Sequence, residues 1–164
     1  MRRRGARFWL KRIAIAGVAL VLVGVVALEA LRWTSKRRGV ESVPLPPSSE
    51  IAALSGEADY TDAYRCAVAG GALNADQLIP PGENEVARTQ NEVVQEGTAP
   101  GLRFLTSYVL EQRGATQFVT LSTAVFCDSP LGLIYFTPVR YVHRRAVPFA
   151  LSLWSKRWAA TDPR

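Results

Sequence analysis

The sequence predicts an α+β fold: a small antiparallel sheet packed by a long C-terminal helix and preceded by one N-terminal transmembrane helix. Three observations predict it. Between residues 59 and 126, aromatic and β-branched residues alternate in short runs separated by Gly and Pro turns. Ser129-Pro130 then opens a run that reads mainly as helix through Trp158. Ile13–Leu28 carries no charged or polar side chain at all. The corresponding organisation is a basic segment at 1–12, a span at 13–31, a juxtamembrane and Pro/Ser-rich linker at 32–53, one α+β domain at 54–158 and a tail at 159–164.

The net charge of +6 is unevenly placed. Residues 1–38 carry ten Lys/Arg against Glu29 alone, and residues 129–164 carry six against Asp162. Residues 39–128 hold four Arg against twelve acids. A nucleic-acid reader needs a basic face on its folded domain. The acidic middle argues against one, so no nucleic-acid partner is expected.

Ten of the sixteen residues in Ile13–Leu28 are Val, Leu or Ile, worth about −3 to −6 kcal/mol on an insertion scale. At 1.5 Å per residue they reach only ~24 Å, so flanking residues would complete a span. Leu28 fits poorly as the −3 residue of a cleavage site ending at Ala30. The expectation is an uncleaved anchor in the cell membrane, single-pass. Six cations precede it and four follow, which favours a cytoplasmic N-terminus and an extracytoplasmic domain.

After the anchor, Gly39–Ser49 reads as an extended linker because of Pro44, Pro46, Pro47 and three serines. A short helix follows at Glu50–Leu54. Asp59–Val68 reads as a strand with Tyr60, Tyr64, Cys66 and Val68 on one face and Asp62 as the exception. Asn74 and Gln77 have capping-box spacing for a short helix. Glu85–Glu96 reads as a polar strand, Gly97–Gly101 as a turn, and Leu102–Glu111 and Thr116–Phe126 as a hairpin. In the last strand both faces carry apolar side chains, which implies cover on both sides. Pro138 and Pro148 should kink or divide the C-terminal helix. A second transmembrane helix there is excluded by Arg140, His143, Arg144 and Arg145.

Two stretches, ADYTDAYRCAV and TLSTAVFCDSPLGLIYFTPVRYVHRRAVPFAL, resemble a bacterial family whose members look like helix-grip (START/SRPBCC-like) proteins. The match rests on Asp59–Tyr64, the Ser129–Gly132 helix start, Tyr135 and the His143-Arg144 pair, and covers about a third of the chain. The resemblance implies a curved antiparallel sheet gripped by the C-terminal helix around an apolar cavity. It implies no activity. Only some 105 residues follow the linker, so a reduced sheet and a small cavity are expected. The resemblance also makes the first and last strands neighbours, which would bring Cys66 and Cys127 close enough to pair in an oxidising compartment. The alternative is two buried free thiols.

His143 is the only histidine. Ser129 or Ser122 with Asp128 could complete a triad, but no nucleophile elbow accompanies them. No metal site is expected from one His and two distant Cys, and no cofactor from isolated turn glycines. The sequence therefore points to a non-catalytic binding module at the membrane surface, its partners membrane lipid, an apolar ligand or a membrane protein. Its groove would be lined by Phe104, Tyr108, Val119, Leu121, Tyr135 and His143. Arg140, Arg144, Arg145, Trp154, Lys156, Arg157 and Trp158 would face headgroups. An assembly subunit docking by a strand edge or by the C-terminal helix is the alternative reading. An enzyme would need His143 in a pocket beside Ser or carboxylate groups.

Overall fold

A computed structural model describes residues 23–68 and 73–160, with side chains to residue 156. Helix α1 covers 23–37 of the described chain. It is followed by β1 (Glu41–Val43), α2 (Glu50–Leu54), β2 (Tyr60–Val68), α3 (Ala75–Leu78), β3 (Glu85–Arg88), β4 (Glu92–Ala99), β5 (Leu102–Arg113), β6 (Thr116–Cys127) and α4 (Pro130–Ala160). The strands form one sheet in the order β1-β2-β6-β5-β4-β3, and every neighbouring pair is antiparallel.

Period-two alternation sends alternate side chains to opposite faces. One face carries Tyr64, Cys66, Val68, Tyr108, Leu110, Val119 and Leu121, which pack with Leu151 of α4 and Leu78 of α3. At the other end of that face, Tyr60, Leu102 and Val125 pack on Phe136 of α4. The opposite face buries Ile51 of α2 against Val94, Leu105 and Ala124. Both faces are covered, as the doubly apolar β6 requires.

Local signals account for the helix ends. Ser49 caps α2 through Ala52 N–H. Asn74 and Gln77 close a reciprocal capping box on α3. Ser129 Oγ accepts from Gly132 N–H at 3.1 Å at the start of α4. There the backbone of Gly101, at φ 74°, runs against Gly132 so closely that a Cβ on Gly132 would lie 1.9 Å from the Gly101 carbonyl oxygen.

Several expectations are corrected. No helix among the described residues is long and apolar enough to cross a membrane, which overturns the transmembrane helix at 13–31, the single-pass cell-membrane assignment and the orientation drawn from it. Residues 1–22 of that reading lie outside the described residues. Its described part belongs to a helix that continues to residue 37 and docks on α4. Glu29 Oε1 accepts from Arg145 Nε at 2.8 Å and also from Nη2, so that segment presents a carboxylate to the domain.

The 32–53 linker is also structured. Glu41–Val43 adds an edge strand to β2, because strand pairing asks only for backbone groups. The polar strand at 85–96 is two strands joined by a turn at 89–91, and β4 runs on to Ala99 through Gly97. Pro138 and Pro148 do not divide α4, which is helical throughout. Each proline leaves the carbonyl four residues earlier without its N–H donor. For Pro148 that carbonyl is Arg144, and the Tyr64 hydroxyl donates to it at 3.5 Å.

The cysteine pairing fails on register. Although β2 and β6 are neighbours, Cys66 lies opposite Val119 and Cys127 opposite Leu102. Eight positions along β6 separate Cys127 from Val119, roughly 26 Å at 3.3 Å per residue, far beyond disulfide reach. Both thiols are free.

Candidate functional site

On the helix-covered face, a polar network forms along the seam between β2 and α4. Alternation along β2 aims Tyr60, Asp62 and Tyr64 at α4, and α4 answers with Arg140, His143 and Arg144. The Tyr60 hydroxyl donates to Asp62 Oδ2 at 2.6 Å and accepts from Arg144 Nε at 3.1 Å. Asp62 Oδ1 faces His143 Nε2 at 3.4 Å. The Tyr60 ring stands edge-on to His143 and Phe136, with centroids 6.3 and 5.2 Å away. Arg140 and Arg144 lie 5.9 and 5.4 Å from the same ring.

Electrostatics follow from this packing. Burial, reinforced by the bond to Asp62, pushes the Tyr60 phenol up to about 12. Burial also pushes Tyr64 upward. The hydrogen bond to Tyr60 raises the Arg144 guanidinium above its ordinary value. The network therefore holds neutral phenols between one carboxylate and a permanent cation.

Beside the seam, between the sheet and the first half of α4, lies a pocket of ≈ 220 Å³. Ala99, Leu102, Phe104, Val125, Tyr135, Phe136 and Val139 line it, with Thr106, Thr123 and His143 as its polar groups. The Phe104 ring reaches it across Gly97, whose missing Cβ leaves room that any side chain would take: a Cβ there would lie 2.3 Å from the ring. A larger recess, ≈ 530 Å³, is on the opposite face under the 43–50 loop. Its buried Glu92 is already committed, accepting from Glu50 N–H at 2.7 Å, Ile51 N–H at 3.2 Å and Ser107 Oγ at 2.5 Å. That carboxylate holds α2 on the sheet.

Of the residues expected to line a groove, Phe104, Tyr135 and His143 meet in the 220 Å³ pocket. Tyr108, Val119 and Leu121 do not, being core residues farther along the sheet. The headgroup-facing set also separates. Trp154 packs against that core, 6.2 Å from Tyr108. Arg144 turns onto Tyr60 and Arg145 onto Glu29. Arg140 and Lys156 are exposed, and the side chains of Arg157 and Trp158 lie outside the described residues.

The serine triad does not assemble. Ser122 is on the face away from α4, opposite Ala63 and Ser107, and Ser129 serves as the cap of α4. His143 does stand in a pocket beside a carboxylate, but no serine shares its walls; the hydroxyl-bearing residues there are Thr106, Thr123 and Tyr135. Asp62 was missed as a site residue, although a lone acid on an apolar strand stripe was its signal. Tyr60 was missed because one of its two hydroxyl partners, Arg144, comes from α4. Comparisons with protein-family models, with curated proteins and with solved structures gave no match to this chain.

Proposed function

We propose that this domain is a non-catalytic binding module for a small apolar ligand bearing one hydrogen-bonding group, held between α4 and the sheet in the manner of a reduced helix-grip domain. The observation that carries this reading is the 220 Å³ pocket, walled by Phe104, Tyr135, Phe136 and Val139 with His143 as its one titratable nitrogen base. Ligand pockets usually span ~300–1,000 Å³, so the occupant is a single ring system or a short chain. Its apolar body replaces water on the aromatic walls, and its polar end meets His143, which Asp62 orients.

The test is titration of the full chain with an environment-sensitive apolar dye such as N-phenyl-1-naphthylamine, competed by short-chain and aromatic compounds. Val139→Trp fills the pocket and should weaken binding by about tenfold or more, equivalent to about 1.4 kcal/mol. Saturable binding untouched by Val139→Trp, or no saturable binding at all, would refute the reading.

A second reading, an assembly subunit that docks through α4, is favoured by one observation. Leu131, Ile134, Tyr135 and Val142 are 75, 70, 46 and 46 % exposed and recur at helical spacing along the first half of α4. Concentration-dependent self-association or a stable partner lost on Ile134→Glu would favour it over the pocket reading.

A further inference from the structure

We propose a second site, independent of the apolar pocket: a phosphate-binding recess where α1, β1 and α4 meet. The recess is ≈ 450 Å³ and is bordered by Arg32 and Lys36 of α1, Arg144 and Arg145 of α4, and Asp62. Four cations from two helices thus converge on one cavity, and their counter-charges fall short. Glu29 satisfies Arg145 and lies 3.8 Å from Arg32. Asp62 is turned elsewhere, with Oδ2 under the Tyr60 hydroxyl and Oδ1 toward His143.

What remains is donor capacity with nothing to receive it. Arg144 uses Nε on Tyr60, and its Nη groups make no hydrogen bond among the described residues. The Lys36 ammonium makes no ion pair or hydrogen bond among them. Arg32 and Lys36 are four residues apart on one helix, so they share a face and repel each other unless an anion lies between them. Arg144 and Arg145 extend the same positive field from a helix that holds no Asp or Glu over its 31 residues. A tetrahedral dianion matches this set, since guanidinium forks bind phosphate oxygens in pairs and an ammonium adds a point charge. The ligand chemistry is a terminal phosphate, supplied either by a small phosphomonoester or by a phosphomonoester lipid headgroup.

The experiment uses the full chain at low ionic strength in a phosphate-free buffer. Inorganic phosphate is titrated while thermal unfolding is followed. In parallel, the protein is sedimented with vesicles of phosphatidylcholine alone or with added phosphatidic acid. Lys36→Gln is the informative variant, because Lys36 is exposed and its ammonium makes no ion pair or hydrogen bond among the described residues; Lys36→Arg restores the charge. A phosphate-dependent rise in unfolding temperature that Lys36→Gln weakens at least tenfold in apparent affinity, and Lys36→Arg restores, identifies a free phosphate ligand. Vesicle capture that depends on phosphatidic acid and falls with Lys36→Gln identifies the headgroup. If neither response occurs, or if both are unchanged in Lys36→Gln and in Arg32→Gln, the site does not exist.

Discussion

Asp62 Oδ1 and His143 Nε2 face each other at 3.4 Å across the seam between β2 and α4, and neither buried atom has a hydrogen-bond partner among the described residues. The pair couples sheet to helix at the edge of the apolar pocket. Truncating one member leaves the other buried without a counterpart, at about 1–3 kcal/mol. Removing both together costs less than the sum. We therefore expect Asp62→Leu and His143→Leu each to lower stability by about that amount, and the double variant to recover part of the loss in urea unfolding. Strictly additive losses would show that the two side chains do not interact.

Tyr60 gives the seam an alkaline limit. Its phenol is pushed from 10.0 to about 12 by burial and by Asp62. A group whose folded value lies above its unfolded one contributes stability that is complete below pH 10 and is lost as pH rises toward 12. The urea midpoint should thus fall across that interval. Tyr60→Phe should shrink the slope without removing it, because burial raises Tyr64 and Tyr108 as well. Absorbance near 295 nm reports the phenolates directly, and a single titration of all five tyrosines near pH 10 would contradict the packing.

Gly132→Ala tests the register of α4 on the sheet. The added methyl would collide with the Gly101 carbonyl, so the start of the helix must lift from the β4–β5 turn. The expected cost is about 1–3 kcal/mol, with weaker dye binding because Ala99 and Leu102, which flank that turn, line the pocket. Gly82→Ala, where nothing lies within 4 Å of the new methyl, is the control.

Cysteine chemistry should distinguish the two ends of the sheet. Burial pushes the Cys66 thiol up to about 11, whereas Cys127 is only partly covered and is raised by burial and by Asp59 and Asp128. Ellman's reagent at pH 8 should titrate Cys127 slowly and reach Cys66 only after denaturation. Non-reducing mass spectrometry of oxidised protein should show no intramolecular bridge.

Much of the scaffold was readable because its signals are local. The 102–126 hairpin follows from period-two alternation, and the starts of α3 and α4 from Asn74, Gln77 and Ser129, each of which bonds within three residues of itself. The site was only partly readable because its bonds are not local. Tyr60 and Arg144 are 84 positions apart, and Asp62 announces itself on β2 without naming His143. Glu92 looked like one acid among several in a polar strand; its burial comes from the N-terminus of α2, 42 positions earlier. Hydrophobicity alone also misled at the front of the chain, where α1 is tied to the domain by Glu29 and Arg145.

The two outer strands bear on how anything larger could attach. β1 offers three residues along one margin of the sheet, and β3 offers four along the other, interrupted by a bulge between Glu85 and Ala87. Margins this short and irregular give an incoming chain few consecutive backbone groups to pair with. Lateral extension of the sheet, whether by a donated strand or by stacking of copies into a fibril, is therefore blunted at both ends, and recognition is left to side chains on the helical side.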